Sequence, residues 1–215
     1  MPTFKKCQWE IFKIGFPTIV SCLFMQLTYF INTIYAGTLN DDAKLAGLGL
    51  GTSMLECLTL YIIMGMNGAL ETLVAQAYGA DQLVLCGVYL NRARVINTAL
   101  FIPLMVILLF TKPILGILGQ QEEVIVHANT YVIDNLLSVY LMGMYDLNKR
   151  FLNCLKTTWV PMISQVLATL LHIFWCHLFV TVFEWDLHGL GLASTLTSFI
   201  LLSTTVVYAH CIKEI

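Results

Sequence analysis

Ile14–Asn40 reads IGFPTIVSCLFMQLTYFINTIYAGTLN, 27 consecutive residues without an Asp, Glu, Lys or Arg. A hydrocarbon layer ~30 Å thick is crossed by about 20 helical residues at ~1.5 Å each, so this one run is long enough to span a bilayer. Working outward, charge-free runs recur at 95–111, 157–183 and 187–212, with 17, 27 and 26 residues. Two further apolar stretches carry acids: 45–78 holds Glu56 and Glu71, and 124–148 holds Asp134 and Asp146. Backbone amides inside lipid must bond internally, which leaves helices or a closed barrel. Barrel strands alternate apolar and polar residues in short segments, and these runs do not. The expected fold is therefore an all-α integral membrane protein. A cytoplasmic segment, 1–13, precedes six transmembrane helices at about 14–38, 45–78, 86–111, 124–148, 158–183 and 188–212.

Composition agrees. Of 215 residues, 58% are hydrophobic and 11% charged, and the mean hydropathy is +0.80. A soluble domain carries about a quarter charged residues, so a solvated globular enzyme does not fit. A net charge of −2 with no basic tract excludes nucleic acid as a partner. Seven cysteines, an odd number without a C-x-x-C, suit neither a disulfide framework nor a zinc site. The first apolar run is far longer than the 7–15 residues of a signal-peptide core, so it reads as a first membrane helix.

Loop charges fix the orientation. With the N-terminus inside, the inner segments collect Lys5, Lys6, Lys13, Arg92, Arg94, Lys149, Arg150, Lys156 and Lys213, and the outer loops keep Lys44 and Lys112. Nine against two is a strong positive-inside bias. Removing either acid-bearing stretch from the count would scatter the basic loops to both sides. Six helices with both ends cytoplasmic is the arrangement that keeps them together.

Enzymatic readings find no support in the motifs. His172 and His177 are five apart, about 140° around a helix, and cannot chelate one metal from one face. The five histidines are scattered, Tyr145-Asp146 has no second aspartate motif beside it, and Gly191-Leu192-Ala193-Ser194 is not a nucleophile elbow. No resident cofactor or metal is expected. Gly47-x-x-x-Gly51 and Gly189-x-x-x-Ala193 are small-residue spacings that permit close helix packing, and Gly65 and Gly68 mark a place where the second helix could kink.

Acids at membrane depth carry more information. Burying a carboxylate there costs at least ~2.5 kcal/mol, so it normally faces a cavity or a partner. Glu56 lies eleven residues from the outer end of the second span, ~16 Å deep. Asp134 lies at similar depth on the fourth span, and Glu71 lies nearer the cytoplasmic side. Each is either a paired structural group or a site that binds and releases a proton.

Several segments resemble one transporter family. Phe30-Ile31-Asn32-Thr33-Ile34-Tyr35-Ala36-Gly37 and Leu45-Ala46-Gly47-Leu48-Gly49-Leu50-Gly51 resemble the first two helices of the multidrug and toxic compound extrusion (MATE) family. Asn67-Gly68-Ala69-Leu70-Glu71-Thr72-Leu73-Val74-Ala75-Gln76-Ala77-Tyr78-Gly79-Ala80 is similar to its second-helix signature in the eukaryotic form. Gly87-Val88-Tyr89-Leu90-Asn91-Arg92, Leu118-Gly119-Gln120, Arg150-Phe151-Leu152 and Gly189-Leu190-Gly191 follow in family order.

The resemblance implies secondary active export of organic cations, drugs or other amphiphiles in exchange for H+ or Na+. It implies a twelve-helix fold of two lobes, of which this chain matches the N-terminal one, so a truncated or half-length form is expected. A functional protein would then need a second six-helix lobe, and the membrane would be the plasma membrane or a vacuolar-type one. The alternative is a non-transporting assembly or regulatory protein that pairs with full-length relatives. Bacterial relatives carry aspartates where this chain has Asn32 and Cys176, and often Asn where it has His172. Glu56 stands where Asn is usual. The expected proton-responsive site is therefore Glu56 with His172 and Asp134 nearby, and Glu71 as a further titratable candidate. Gln26, Asn32 and Gln76 are expected to line the cavity.

Overall fold

The computed structural model describes residues 4–211. Lys213 of the charge count and position 212 of the sixth expected span lie outside them. The described residues form α1 (Phe4–Gly37), α2 (Asp42–Leu55), a π-helical turn (Glu56–Leu60), α3 (Tyr61–Gly79), α4 (Leu83–Leu109), α5 (Thr111–Ile117), α6 (Glu122–Asp134), α7 (Leu136–Cys154), α8 (Trp159–Cys176), a second π turn (His177–Val182) and α9 (Asp186–Cys211). Five helical stretches are long and apolar enough to cross a membrane: Ile11–Gly37, Asp42–Gly79, Leu83–Leu109, Trp159–Val182 and Asp186–Cys211.

The remaining expected span, 124–148, is two helices and not one. The chain breaks at Asn135, between α6 and α7. Asn135 donates from Nδ2 to Tyr131 O at 2.9 Å, and its backbone N–H reaches the same carbonyl at 3.1 Å. An amide side chain that competes locally for backbone partners is a known interrupter of helices. The second expected span also differs in detail. It runs from Asp42 to Gly79, and its irregularity is the π turn at Glu56–Leu60, not a kink at the glycines. A Cβ added at Gly65 or Gly68 would meet nothing within 4 Å.

Short polar loops set where the helices begin. Asp41 caps α2, its Oδ1 accepting from Ala43 N–H at 3.0 Å and Lys44 N–H at 3.1 Å. Lys44 then donates to Asp186 at 2.7 Å, tying the start of α2 to the start of α9. Trp185 stacks on Phe179 with centroids 5.6 Å apart, and Phe183 and Trp175 pack beside them at the same end. Such aromatic groups favour the boundary between lipid and water.

Around the bundle, α1 packs on α8, α8 on α9, α9 on α7, α7 on α3, and α3 on α4, while α2 closes the ring against α1 and α6. The α2–α6 contact depends on glycine. A Cβ at Gly47 would sit 2.6 Å from His127 Cβ, and one at Gly51 would sit 2.9 Å from the Tyr131 ring. One apolar core fills the end nearer Asp41 and Asp186, around Leu48, Leu104, Tyr131 and Leu190. Another, around Val74, Leu90, Leu147 and Phe151, fills the opposite end. The outside is apolar as well: Leu23, Phe30, Val95 and Phe199 are all more than half exposed. That inverted surface suits lipid as the surrounding solvent.

Candidate functional site

Between the two cores lies a cavity of about 60 Å³ with a mostly apolar wall, Leu55, Val139 and Leu201 among it, set with a few polar side chains. Its lining includes Asn32 from α1, Glu56 from the first π turn, Asn135 from the helix break, Gln165 from α8, and Ser194 and Thr197 from α9. A drug-sized ligand occupies roughly 300–1,000 Å³, so this space suits water and small ions.

The wall of the cavity behind Asn32 is a hydrogen-bonded cluster. Asn32 Nδ2 donates to Ser194 Oγ at 3.1 Å, and its Oδ1 lies 2.9 Å from His172 Nε2. His172 Nδ1 lies 2.8 Å from Thr197 Oγ1, and Thr197 in turn donates to Ala193 O at 2.8 Å. Cys176 Sγ stands 3.3 Å from His172 Nε2. His172 and Cys176 are fully buried, and Asn32 is nearly so.

A hydrogen inventory shows what the cluster can do. With Asn32 Oδ1 facing Nε2, a neutral ring satisfies the cluster: Nε2–H donates to Asn32 Oδ1 and Nδ1 accepts the Thr197 hydroxyl. When that hydroxyl turns to Ala193 O instead, both ring nitrogens donate and the ring holds one more proton. The neutral and protonated schemes therefore differ by one proton and one hydroxyl rotation. No carboxylate is part of the cluster among the described residues.

Glu56 starts the π turn, which widens the helix where its carboxylate meets the cavity. The side chain is half-buried and accepts from Tyr61 Oη at 3.2 Å. No hydrogen bond joins Glu56 to His172: Glu56 lines the cavity, and His172 stands behind Asn32, outside the lining. Asp134 does not join them. Its carboxylate takes His188 Nδ1 at 2.6 Å, and a Cβ at Gly191 would sit 2.6 Å from its own Cβ. The break after Asp134 turns it toward the start of α9 and presents Asn135 to the cavity instead.

Glu71 is fixed elsewhere. Arg150 bridges Glu71 Oε2 and Asp146 Oδ2, each at 2.8 Å. Asp146 also accepts from Asn67 Nδ2 at 2.9 Å, and Asn67 accepts from Asn97 Nδ2 at 2.6 Å. This chain ties α3, α4 and α7 together on the Arg/Lys-rich side. Gln26 and Gln76 are exposed and do not line the cavity. Gln26 is six residues from Asn32 and so lies about 120° away around α1.

Sequence reading missed Thr197, Ser194, Asn135 and Gln165. Ser194, Thr197 and Ser198 form an i, i+3, i+4 polar stripe on an otherwise apolar helix, a pattern visible in the sequence. Among the described residues no group of three His, Cys, Asp or Glu could hold a metal ion.

Comparison with known proteins agrees with this architecture. The MatE family model matches residues 17–178. Protein DETOXIFICATION 35 of Arabidopsis thaliana is 29% identical over 179 residues, which cover 83% of this chain and 36% of that protein. Multidrug and toxin extrusion protein 1 of Danio rerio is 27% identical over 199 residues, 93% of this chain and 34% of that protein. The crystal structure of the eukaryotic MATE transporter AtDTX14 superposes with a TM-score of 0.91 at 21% identity, covering 96% of this chain and 46% of its own. The chain thus spans between about a third and a half of the relatives it matches. A multi-pass membrane lobe of this fold, matched by the family model over most of its length, belongs to the MatE family, whose members are transporters and not enzymes.

Proposed function

We propose that this chain is one lobe of a secondary exporter of organic cations, drugs or other amphiphiles, driven by inward movement of a coupling ion. The observation that carries the reading is the Asn32–His172–Thr197 cluster beside Glu56, a proton-accommodating centre inside a lobe whose outside is lipid-compatible. Buried polar groups at membrane depth normally mark an ion or substrate path. Of the two coupling ions, H+ suits the site better than Na+, because the buried cluster centres on an imidazole, which takes up a proton and is no ligand for Na+.

The cavity is too small for the substrate, so the substrate moves along the surface of the lobe. Gln26 and Thr33, seven apart on one outward face of α1, and Tyr61 on α3 are exposed polar side chains on a surface otherwise rich in apolar groups. A second six-helix lobe facing α1–α3 completes the path. Proton uptake at Glu56 and His172 changes the hydrogen bonds between α1, α8 and α9, and alternating access follows from the shift in their packing. The membrane is the plasma membrane or a vacuolar-type one.

Proteoliposomes loaded with a fluorescent organic cation test the reading under an imposed pH gradient, with the chain alone and fused to a relative's second lobe. Gradient-driven cation movement that loses its pH response in Glu56→Gln supports it. Unchanged pH response in both Glu56→Gln and His172→Gln overturns the site. A folded but silent chain and fusion would favour the alternative, a non-transporting partner of full-length relatives.

A further inference from the structure

A second feature lies on another face of the lobe. Helices α4 and α9 stand on either side of α7, and the three enclose a groove of about 600 Å³ that opens outward. Its walls are Val95 and Ile102 of α4 and Leu202 and Val206 of α9, and its floor includes Tyr140 and Met144 of α7. Val95 and Ile102 are 69% and 58% exposed, so the groove faces the lipid.

Arg94 closes one end. Its Nη2 donates to Asn148 Oδ1 at 2.7 Å and its Nη1 to Asn91 Oδ1 at 3.2 Å. Both partners are neutral amides, and among the described residues no carboxylate lies within ion-pair distance of Arg94. Two of the five guanidinium N–H groups are used, which leaves three for an outside acceptor. One turn along, Thr98 donates to Arg94 O at 2.9 Å and lies 3.1 Å from Tyr140 Oη. These hydroxyls are committed within the protein, so Arg94 is the charged donor that the groove presents.

The direction of the groove matters. From Arg94 to Ile102 is eight residues, ~12 Å along α4, and the walls become wholly apolar on the way. The cationic end lies on the side that the Lys/Arg count assigns to the cytoplasm. A positive fork in the cytoplasmic half of α4, with an apolar channel running from it toward the bilayer centre, matches one class of molecule. We infer that this groove binds an anionic glycerophospholipid of the cytoplasmic leaflet, its phosphate on Arg94 beside Asn148 and one acyl chain between α4 and α9. The planar guanidinium suits two phosphate oxygens at once. The site is independent of the transport reading, since it lies on α4, α7 and α9 and away from α1–α3.

Native mass spectrometry of the full chain in detergent tests this, by titration with phosphatidylglycerol and phosphatidylcholine of identical acyl chains. The expected result is a preference for phosphatidylglycerol of roughly ten-fold, because phosphatidylcholine offers Arg94 the same phosphate but sets its quaternary ammonium against the guanidinium, a like-charge contact. Arg94→Gln removes the preference. Arg92→Gln, two residues away on another face, leaves it intact and separates a built site from general surface charge. Ile102→Trp, at an exposed position, fills the groove and weakens both lipids equally while the guanidinium stays. Soluble glycerol phosphate does not compete at matched concentration. Equal affinity for the two lipids, a preference that survives Arg94→Gln, or effective competition by glycerol phosphate would each overturn the assignment.

Discussion

Asn32 Oδ1 and His172 Nε2 lie 2.9 Å apart although 140 residues of chain separate them, so one hydrogen bond couples the first helix to α8. His172 is fully buried and Asn32 nearly so. Removing one partner therefore strands the other. Asn32→Leu is expected to lower stability by about 1–3 kcal/mol, the range for an orphaned buried polar group. Thermal unfolding in detergent measures it, and Asn32→Gln should not restore the loss, because the longer side chain cannot occupy the same space.

Arg150 and Glu71 should respond unequally to neutralisation. Arg150→Gln leaves the buried Asp146 carboxylate without its ion pair, and a loss of about 3 kcal/mol is expected, as for a broken buried pair. Glu71→Gln removes a carboxylate that is 48% exposed, and less than about 1 kcal/mol is expected. Denaturant or thermal unfolding of the two variants side by side provides the comparison. Equal losses would mean that Glu71, and not Asp146, is the group Arg150 serves.

The glycines of the second span divide into two kinds. Gly47→Ala places a Cβ 2.6 Å from His127 Cβ and should destabilise by about 1–3 kcal/mol, since α2 must move away from α6. Gly65→Ala meets nothing within 4 Å and should be neutral or stabilising by up to about 1 kcal/mol, through helix propensity alone. Unfolding midpoints of the two single variants decide this.

Orientation is open to chemical labelling. In a background lacking the exposed Cys22, Cys57 and Cys211, single cysteines at Asp42 and Glu123 should react with an impermeant thiol reagent from outside intact cells. Cysteines at Gln82 and Arg92 should react only after permeabilisation. External labelling at Gln82 would reverse the assigned sidedness.

Much of the fold was legible because lipid imposes a simple rule on sequence. Runs such as 14–40 have no reading in water, and counting them locates the helices to within a few residues. The helix break at Asn135 was not legible, since it depends on one side-chain amide finding Tyr131 O. The same break explains why Asp134 left the expected site: depth along a helix can be counted, but the direction a residue faces after a break cannot. Glu56, His172 and Asn32 were visible as polar residues in apolar runs. Their neighbours Ser194 and Thr197 were overlooked because hydroxyls are common in membrane helices, where they bond their own backbone, as Thr197 also does. Glu71 and Arg150 are a reminder that a signature motif can encode a joint between helices.

The π turn at Glu56–Leu60 has a consequence for the length of the second span. A π turn is an α-helix carrying one residue more than its hydrogen-bond pattern needs. The helix on either side stays in phase with its neighbours because this surplus is confined to a single loop of the spiral. Deleting one residue there, Cys57 for instance, would let the spiral close into regular α geometry without turning Gly51 away from Tyr131 or Asn67 away from Asp146. The same deletion one or two turns away would rotate half the span by about 100° against its partners. This helix thus holds a spare link at the one place where Glu56 meets the cavity, and shortening it there would narrow the opening while leaving both ends of the span engaged.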